Sequence, residues 1–300
     1  MNKLVSFIKH SYIYIILALT YIPLCFAVVF SFNKPSDKGF LSSYWNRFSD
    51  EAWVNFWENG RDVALINSLI IALFTALLVI IISLITVFSL WRQRNKKIAS
   101  AVNSITNIPL INPDNITAIG LVLVFGLLFG TLANTEEGLI RGIVGHTIMS
   151  LPYGITLMLP RSDKFNKSLL EASQDLGFSP IRSWFKTYFI YMIPSIIFSG
   201  IVAAFLSLDD FIILRTLTNT STLGTKLYES DFQAWGLVVG AALMFLTIIG
   251  NFVWIFYKIK NNKKISKKTS DKNLFVRLKN NSNTTTEEFV LKKGANDGTK

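Results

Sequence analysis

The sequence has few charged residues and lacks the motifs that enzymes and metal sites commonly use. Charged residues make up 16% of the chain, against about 25% in an ordinary soluble domain. The single cysteine, Cys25, excludes an internal disulfide, and the only histidines, His10 and His146, are far apart. No phosphate-binding loop, HExxH zinc motif or GxSxG nucleophile motif occurs. We therefore expect no cofactor, metal or catalytic centre in this chain.

What the sequence does contain is long hydrophobic runs. Hydrophobic residues make up 51% of the chain, and a helix of about 20 apolar residues crosses a bilayer. Six such runs occur, at about residues 12–32, 63–90, 105–132, 139–159, 188–208 and 234–257. No small-x-small cleavage site follows the first run, so we expect a retained helix rather than a signal peptide. The pattern predicts an all-α, multi-pass protein of the cell membrane with six transmembrane helices.

The third run is unusual because Asp114 follows Pro113 inside it. A central Asp costs about 3 kcal/mol on the insertion scale, but the surrounding Leu, Ile, Val and Phe residues outweigh that cost. We expect one span, bent at the proline, with Asp114 about nine residues into the helix and near the middle of the membrane. Such a carboxylate either lines a path for a cation or stabilises the bend in its neutral form.

The distribution of Lys and Arg predicts the orientation. Basic residues are concentrated in the loops 91–104 and 160–187, whereas the loops 133–138 and 209–233 are acidic. Both termini are therefore predicted to be cytoplasmic. The predicted divisions are a cytoplasmic N-terminus (1–11), a first transmembrane helix (12–32), an extracellular loop (33–62), a core with five transmembrane helices (63–257) and a disordered basic tail (258–300).

The net charge of +11 is explained by this bias and by the tail. Basic residues beside the cytoplasmic end of a membrane helix usually contact anionic lipid. We therefore expect membrane lipid, and not nucleic acid, as the partner of these positive charges.

The cytoplasmic loop 160–187 carries strong helix signals. Ser168 and Glu171 match a capping box that opens a short helix. Gly177 is placed to end that helix in a left-handed conformation. Ser179-Pro180 then starts a second helix as N-cap and first-turn proline. The loop is predicted to be a compact helical knob, for which an ordinary interfacial helix-turn-helix is the simpler interpretation.

The first helix of this knob presents a stripe at helical spacing, formed by Leu169, Ala172, Ser173 and Leu176. The sequence Glu171-Ala172-Ser173-x3-Gly177 resembles the EAA-x3-G signature of the permease subunits of binding-protein-dependent ABC importers. The resemblance implies that the knob docks in a groove of a cytoplasmic ATPase, through Leu169, Glu171, Ala172, Ser173 and Gly177.

Two features depart from the family pattern. Ser173 replaces the second alanine, and Thr187, Phe189 and Ile190 stand where the pattern has I-x-L-P, although Pro194 is present. The docking part is thus expected to be intact, while the fifth helix is expected to begin straighter than usual.

Further stretches narrow the resemblance, over residues 63 to 257, to the second permease subunit of spermidine/putrescine importers. The matching stretches are Pro113-Asp114-Asn115-Ile116, His146 with Leu151-Pro152-Tyr153, Ser207-Leu208-Asp209-Asp210-Phe211 and, more loosely, Thr222-Leu223 with Lys226-Leu227-Tyr228.

This resemblance implies the ABC importer permease fold and a transport subunit that is not itself an enzyme. The implied partners are a second permease subunit, an ABC ATPase dimer that binds ATP and Mg²⁺, and an extracellular polyamine-binding protein. Candidate residues of the substrate path are Asp114, Asp209 and Asp210, although a helix-end role or a docking contact for the binding protein suits the last two at least as well. His146 is interpreted as an interhelical hydrogen bonder.

Two groups of alternatives remain open at this point. A related permease could carry another small solute, such as iron, sulfate or thiamine. A secondary transporter would show internal repeats or matched interrupted helices, and a membrane enzyme would show a reactive cluster, neither of which the sequence indicates.

Overall fold

The structure, a computed structural model, describes residues 2–93, 95–129, 138–229 and 232–260, and most of these residues are helical. Twelve α-helices occur in these ranges: α1 (Asn2–Phe30), α2 (Glu51–Val54), α3 (Arg61–Arg92), α4 (Lys96–Ile111), α5 (Asp114–Phe129), α6 (Gly138–Asp163), α7 (Lys167–Asp175), α8 (Pro180–Ser183), α9 (Ile190–Asp209), α10 (Ile212–Leu217), α11 (Leu223–Glu229) and α12 (Trp235–Lys260). The predicted tail beyond residue 260 and most of the 133–138 loop lie outside the described residues.

Five helical segments of the described residues are long and apolar enough to cross a membrane, or six if the pair α4 and α5 counts as one span. They are Tyr12–Phe30, Arg61–Arg92, Gly138–Asp163, Pro180–Asp209 and Trp235–Lys260. A helix satisfies all its backbone hydrogen bonds internally, which is what a membrane interior demands. The predicted all-α, multi-pass fold is confirmed.

The third predicted span is broken rather than gently bent. Helices α4 and α5 meet at 107° across Asn112 and Pro113. Asn112 is extended, with φ −74° and ψ 138°, because proline disfavours a helical residue before it. The prediction that Asp114 lies about nine residues into its helix is therefore wrong. Asp114 is the exposed first residue of α5, where its charge complements the helix dipole.

The chain divides into two compact units. Among the described residues, one comprises 2–30 and 237–260, and the other lies within 31–236. The second unit contains the helices α2 to α11 and all the candidate site residues.

Helices α3, α6 and α9 pack against one another in this second unit and are called the bundle below. Small residues allow the close approach. A Cβ atom added to Gly154 on α6 would lie 2.6 Å from Cγ1 of Val79 on α3, and one added to Gly200 on α9 would lie 2.6 Å from Cδ1 of Ile80. Small side chains at such contacts bring helix backbones together where the hydrophobic effect cannot drive association.

Helix α10 joins α5 to this bundle. Ala118 and Phe125 of α5 form a buried cluster with Ile213 and Leu217 of α10. This packing places the start of α5 beside the segment that follows α9, and it thereby determines the geometry of the first candidate site.

Candidate functional site

The three acidic residues predicted for the substrate path lie at the start of α5 and at the end of α9, and α10, which follows the end of α9, packs against α5. Asp114 begins α5, Asp209 ends α9, and Asp210 follows it as the C-cap residue. Asp114 and Asp209 are exposed, and Asp210 is partly buried. Asp114 is distant in sequence from the other two, so only the packing of α5 on α10 brings the three together. We call these three residues the carboxylate cluster.

Asp210 is the most constrained member of this cluster. Its Oδ1 atom accepts hydrogen bonds from the backbone N–H groups of Ile212 at 2.9 Å and Ile213 at 3.4 Å. The pKa of Asp210 is raised to about 6, chiefly by burial. The two backbone hydrogen bonds act in the opposite direction, and the negative charges of Asp114 and Asp209 add to the rise. Asp114 and Asp209 therefore lie near enough to Asp210 to act on its charge.

His146, on α6, contacts the cluster from the bundle side. Its side chain is 2% exposed, and its Nδ1 atom lies 3.6 Å from Oδ2 of Asp210, which is longer than a normal hydrogen bond. Its Nε2 atom has no hydrogen-bond partner in the part of the chain that the structure describes. Sequence analysis singled out both residues but did not predict that they meet, because they are 64 positions apart.

Aromatic rings border the cluster, and sequence analysis did not assign them a role. The ring of Phe211 stacks on that of Tyr228 with 4.4 Å between centroids. The guanidinium of Arg215 lies 4.7 Å from the Tyr228 ring. A Cβ atom on Gly224 would lie 3.1 Å from the carbonyl oxygen of Asp210, so glycine at this position allows α11 to pack closely on that backbone. Both Phe211 and Tyr228 lie in stretches that resemble the second permease subunit of spermidine/putrescine importers, which was the available sequence signal.

The second candidate site is the helical knob, which comprises α7, α8 and the turn between them. Its first cap differs from the prediction. Oδ1 of Asn166 accepts hydrogen bonds from the backbone N–H of Ser168 at 3.0 Å and from its hydroxyl at 2.7 Å, so the predicted Ser168–Glu171 capping box is wrong. Phe165 is buried in the bundle and fixes where the chain turns, so the helix begins before Ser168. Glu171 instead pairs with Lys167.

The end of α7 agrees with the prediction. Gly177 has φ +86°. Its N–H donates to the carbonyl of Gln174 at 2.8 Å, and the N–H of Phe178 donates to the carbonyl of Ser173 at 3.2 Å. These two bonds form a Schellman motif. The predicted cap of α8 is also present, since the Ser179 hydroxyl accepts from the N–H of Arg182 at 3.4 Å and Pro180 follows it.

The predicted stripe on α7 is divided between two faces. Leu169, Ala172 and Leu176 are exposed, Leu176 by 79%. Ser173 is buried and its hydroxyl donates to the Leu170 carbonyl at 2.7 Å. The exposed face is therefore free of the bundle, while Ser173 keeps the inner face small.

Comparison with known proteins decides the family. No protein-family model matches the chain. The spermidine/putrescine transport system permease protein PotC homologue of Mycoplasma genitalium is 34% identical over 254 residues, which cover 82% of this chain and 89% of the relative. The chain belongs to the PotC family of transport permeases.

Other PotC-type permeases agree with this assignment. The PotC homologue of Mycoplasma pneumoniae is 32% identical over 260 residues, 84% of this chain and 90% of the relative. The PotC protein of Haemophilus influenzae is 28% identical over 216 residues, 72% of this chain and 80% of the relative. As a PotC-type permease, the chain is a multi-pass membrane protein and a transport subunit. The predicted resemblance is confirmed.

The carboxylate cluster and the knob both lie in residues 31–236, on different elements. The cluster lies where α5, α9 and α10 meet, and the knob connects α6 to α9. Among the described residues, no group of three or more His, Cys, Asp and Glu side chains is arranged to hold a metal ion. The carboxylate cluster is chemically suited to attract a cation, and the exposed face of α7 offers an apolar surface.

Proposed function

We propose that this permease carries polyamines as one membrane subunit of an ATP-driven importer. The observation that carries the proposal is the membership of the chain in the PotC family, and the acidic residues at the start of α5 and the end of α9, Asp114, Asp209 and Asp210, add to it. Its relatives are named as spermidine/putrescine permeases. A polyamine is a flexible polycation at neutral pH, and a cluster of carboxylates is a suitable partner for its ammonium groups.

The magnitudes support a role for these charges. A carboxylate 4 Å from an ammonium gains about 4 kcal/mol at an effective dielectric constant of 20, before the desolvation of both groups is subtracted. A net contribution of about 1.4 kcal/mol is sufficient for a tenfold change in affinity. The same three carboxylates would repel an anion such as sulfate, so the cluster favours a polyamine over an anionic solute.

The energy source in this proposal is a separate ABC ATPase dimer, which binds ATP and Mg²⁺. The exposed face of α7, with Leu169 and Ala172, is the surface that docks on the ATPase. Glu171 supplies a charge at its edge, Ser173 holds the inner face against the bundle, and Gly177 makes the turn that shapes the knob.

The remaining partners follow from the resemblance to binding-protein-dependent importers. A second permease subunit completes the translocation path, and an extracellular binding protein delivers the polyamine. The bias of Lys and Arg towards the loops 91–104 and 160–187 supports a cytoplasmic knob, in contact with the ATPase and with anionic lipid.

The substitution Asp114→Asn tests the substrate path. It removes the charge but keeps the shape and the hydrogen-bonding groups, and it changes helix stability only by about 0.3–1 kcal/mol through the helix dipole. We expect uptake of radiolabelled spermidine and putrescine to fall at least about tenfold, in a strain without other polyamine uptake, with assembly and basal ATP hydrolysis retained. The control Asp37→Asn removes an exposed acid of the 33–62 segment and should leave uptake unchanged.

Two results would contradict this proposal. Normal uptake by the Asp114→Asn variant would show that the charge of Asp114 has no role in the substrate path. If, in addition, Asp114→Leu impaired assembly, Asp114 would be a stabiliser of the break between α4 and α5.

A further inference from the structure

A cluster of aromatic rings connects the knob to the bundle. Tyr188 is its centre, and the ring of Tyr188 lies 4.7 Å from that of Phe88 and 5.2 Å from that of Phe165, measured between centroids. We call this the junction cluster; its members are Phe88 and Trp91 at the end of α3, Phe165 after α6, and Trp184 and Tyr188 before α9.

One chain of hydrogen bonds crosses this cluster. Tyr188 is fully buried, and its hydroxyl lies 2.7 Å from the hydroxyl oxygen of Ser162 on α6. The Ser162 hydroxyl also lies 3.2 Å from the carbonyl oxygen of Val87 on α3. Two side-chain hydroxyls thus join the start of α9 to the ends of both other helices of the bundle.

The knob rests directly on this cluster. Leu170 of α7 packs against it, and Trp184, a member of the cluster, directly follows α8. The indole N–H of Trp91 donates to the Phe165 carbonyl at 3.3 Å, beside the N-cap of α7. When the knob moves, the junction cluster is therefore the first part of the bundle on which it acts.

The backbone at Tyr188 is also unusual. Residues Trp184–Phe189 form a π-helical turn between α8 and α9. Such turns are rare inside helices and are frequent at functional sites. This turn carries Trp184 and Tyr188, so the two aromatic side chains that link the knob to the bundle come from the one irregular segment of the helix.

We infer that Tyr188 is a positioning residue for energy coupling: its hydrogen bond to Ser162 holds the segment that directly follows the knob to the bundle, so that the knob and the bundle move as one body. The inference rests on the proposed function, in which the knob receives motion from an ATPase. If the link is lost, ATP hydrolysis continues but moves the knob without fully moving the helices. The role concerns the transmission of motion and not contact with the substrate.

Tyr188→Phe tests this role with the smallest possible change, because it removes the hydroxyl and keeps the ring in the cluster. The complete importer is reconstituted in proteoliposomes, and ATP hydrolysis and spermidine uptake are measured in the same sample. We expect uptake per ATP hydrolysed to fall at least about threefold, while ATPase binding and basal hydrolysis are retained. Ser162→Ala should have the same effect, and the double variant should be no worse than either, since residues sharing one interaction are not additive.

Tyr191→Phe is the matched control, because the Tyr191 ring contacts Phe165 but its hydroxyl makes no hydrogen bond among the described residues. It should keep the normal ratio of uptake to hydrolysis. A normal ratio in Tyr188→Phe would overturn the inference. Loss of the ATPase from that variant would also overturn it, because the residue would then serve folding or docking.

A second measurement needs no substrate and separates this inference from the proposed function. Hydrogen exchange in the full-length permease reports how firmly α7 is held to the bundle. We expect exchange at the α7 amides to rise several-fold in Tyr188→Phe and to stay unchanged in Tyr191→Phe. If the wild-type importer carried no spermidine, the proposed function would fail, but the exchange measurement would still test the role of Tyr188. Unchanged exchange at the α7 amides in Tyr188→Phe would refute that role.

Discussion

The Nζ atom of Lys167 lies 2.8 Å from Oε1 of Glu171, one turn further along α7. Both side chains are more than half exposed, so this pair contributes little to stability. Because Asn166 provides the cap of α7, Glu171 is also not needed to begin the helix. If a Glu171 substitution strongly reduces transport, the cause must therefore be a lost contact with a partner protein.

Glu171→Gln and Lys167→Gln break the same ion pair and serve as controls for each other. Each should change the free energy of unfolding by at most about 0.5 kcal/mol. If Glu171 contacts the ATPase, only Glu171→Gln should weaken ATPase binding, by about tenfold, since a charged hydrogen bond contributes about 1.5–3 kcal/mol. Co-purification and titration with the ATPase measure this difference. Equal losses in both variants would assign the effect to the helix and not to docking.

The turn at Gly177 has a backbone requirement that is separate from packing. Its φ is +86°, and an added Cβ atom would have no neighbour within 4 Å. Gly177→Val should therefore destabilise the knob by about 1–2 kcal/mol through the left-handed backbone alone, and transport should be lost while the protein still inserts. Gly177→Asn should be milder, because Asn tolerates this conformation.

Gly120→Ala is the control for this prediction, since Gly120 also has open space around its Cβ position but lies within helix α5. That substitution should be neutral or stabilising by up to about 1 kcal/mol. Thermal unfolding in detergent and an uptake assay check both variants. Full transport by Gly177→Val would show that this turn is not the docking element.

The pKa of Asp210, raised by burial to about 6, gives transport a pH dependence. Below that pH the carboxyl is neutral and attracts a cation less, so uptake should decrease as the pH falls through about 6. The groups that face it are His146, Asp114 and Asp209. Asp210→Asn keeps an oxygen that can accept from the N–H of Ile212, and it should give low uptake without this inflection.

Initial rates of uptake between pH 5 and 8 measure this dependence, with Asp37→Asn as a control that should keep the wild-type profile. An unchanged inflection in Asp210→Asn would show that another group, in this chain or in the binding protein, is responsible.

The predicted orientation is tested by single cysteines at Ser36 and Ser168, both exposed, in a chain in which Cys25 is replaced by serine. Ser36→Cys should react with an impermeant maleimide in intact cells, and Ser168→Cys only after permeabilisation. Labelling of Ser168→Cys from outside would reverse the orientation and exclude a cytoplasmic knob.

Local features of the knob could be read from the sequence in part. The positive φ of Gly177 and the cap by Ser179 were predictable because each depends on neighbours within a few residues. The cap at Asn166 was not, because Asn166 and Ser168 are both good N-cap residues, and burial of Phe165 in the bundle decides between them.

By itself, the sequence determined the helical, multi-pass class and the helices of the knob, since hydropathy and capping act over short distances along the chain. Tertiary structure decided the rest. The 107° break at Pro113, the meeting of Asp114 and His146 with Asp210, and the bond between Ser162 and Tyr188 all depend on how separate helices pack. That packing depends on small residues and aromatic rings at contacts between segments that are distant in sequence. The hydrophobic pattern of one segment does not indicate which other segment it contacts.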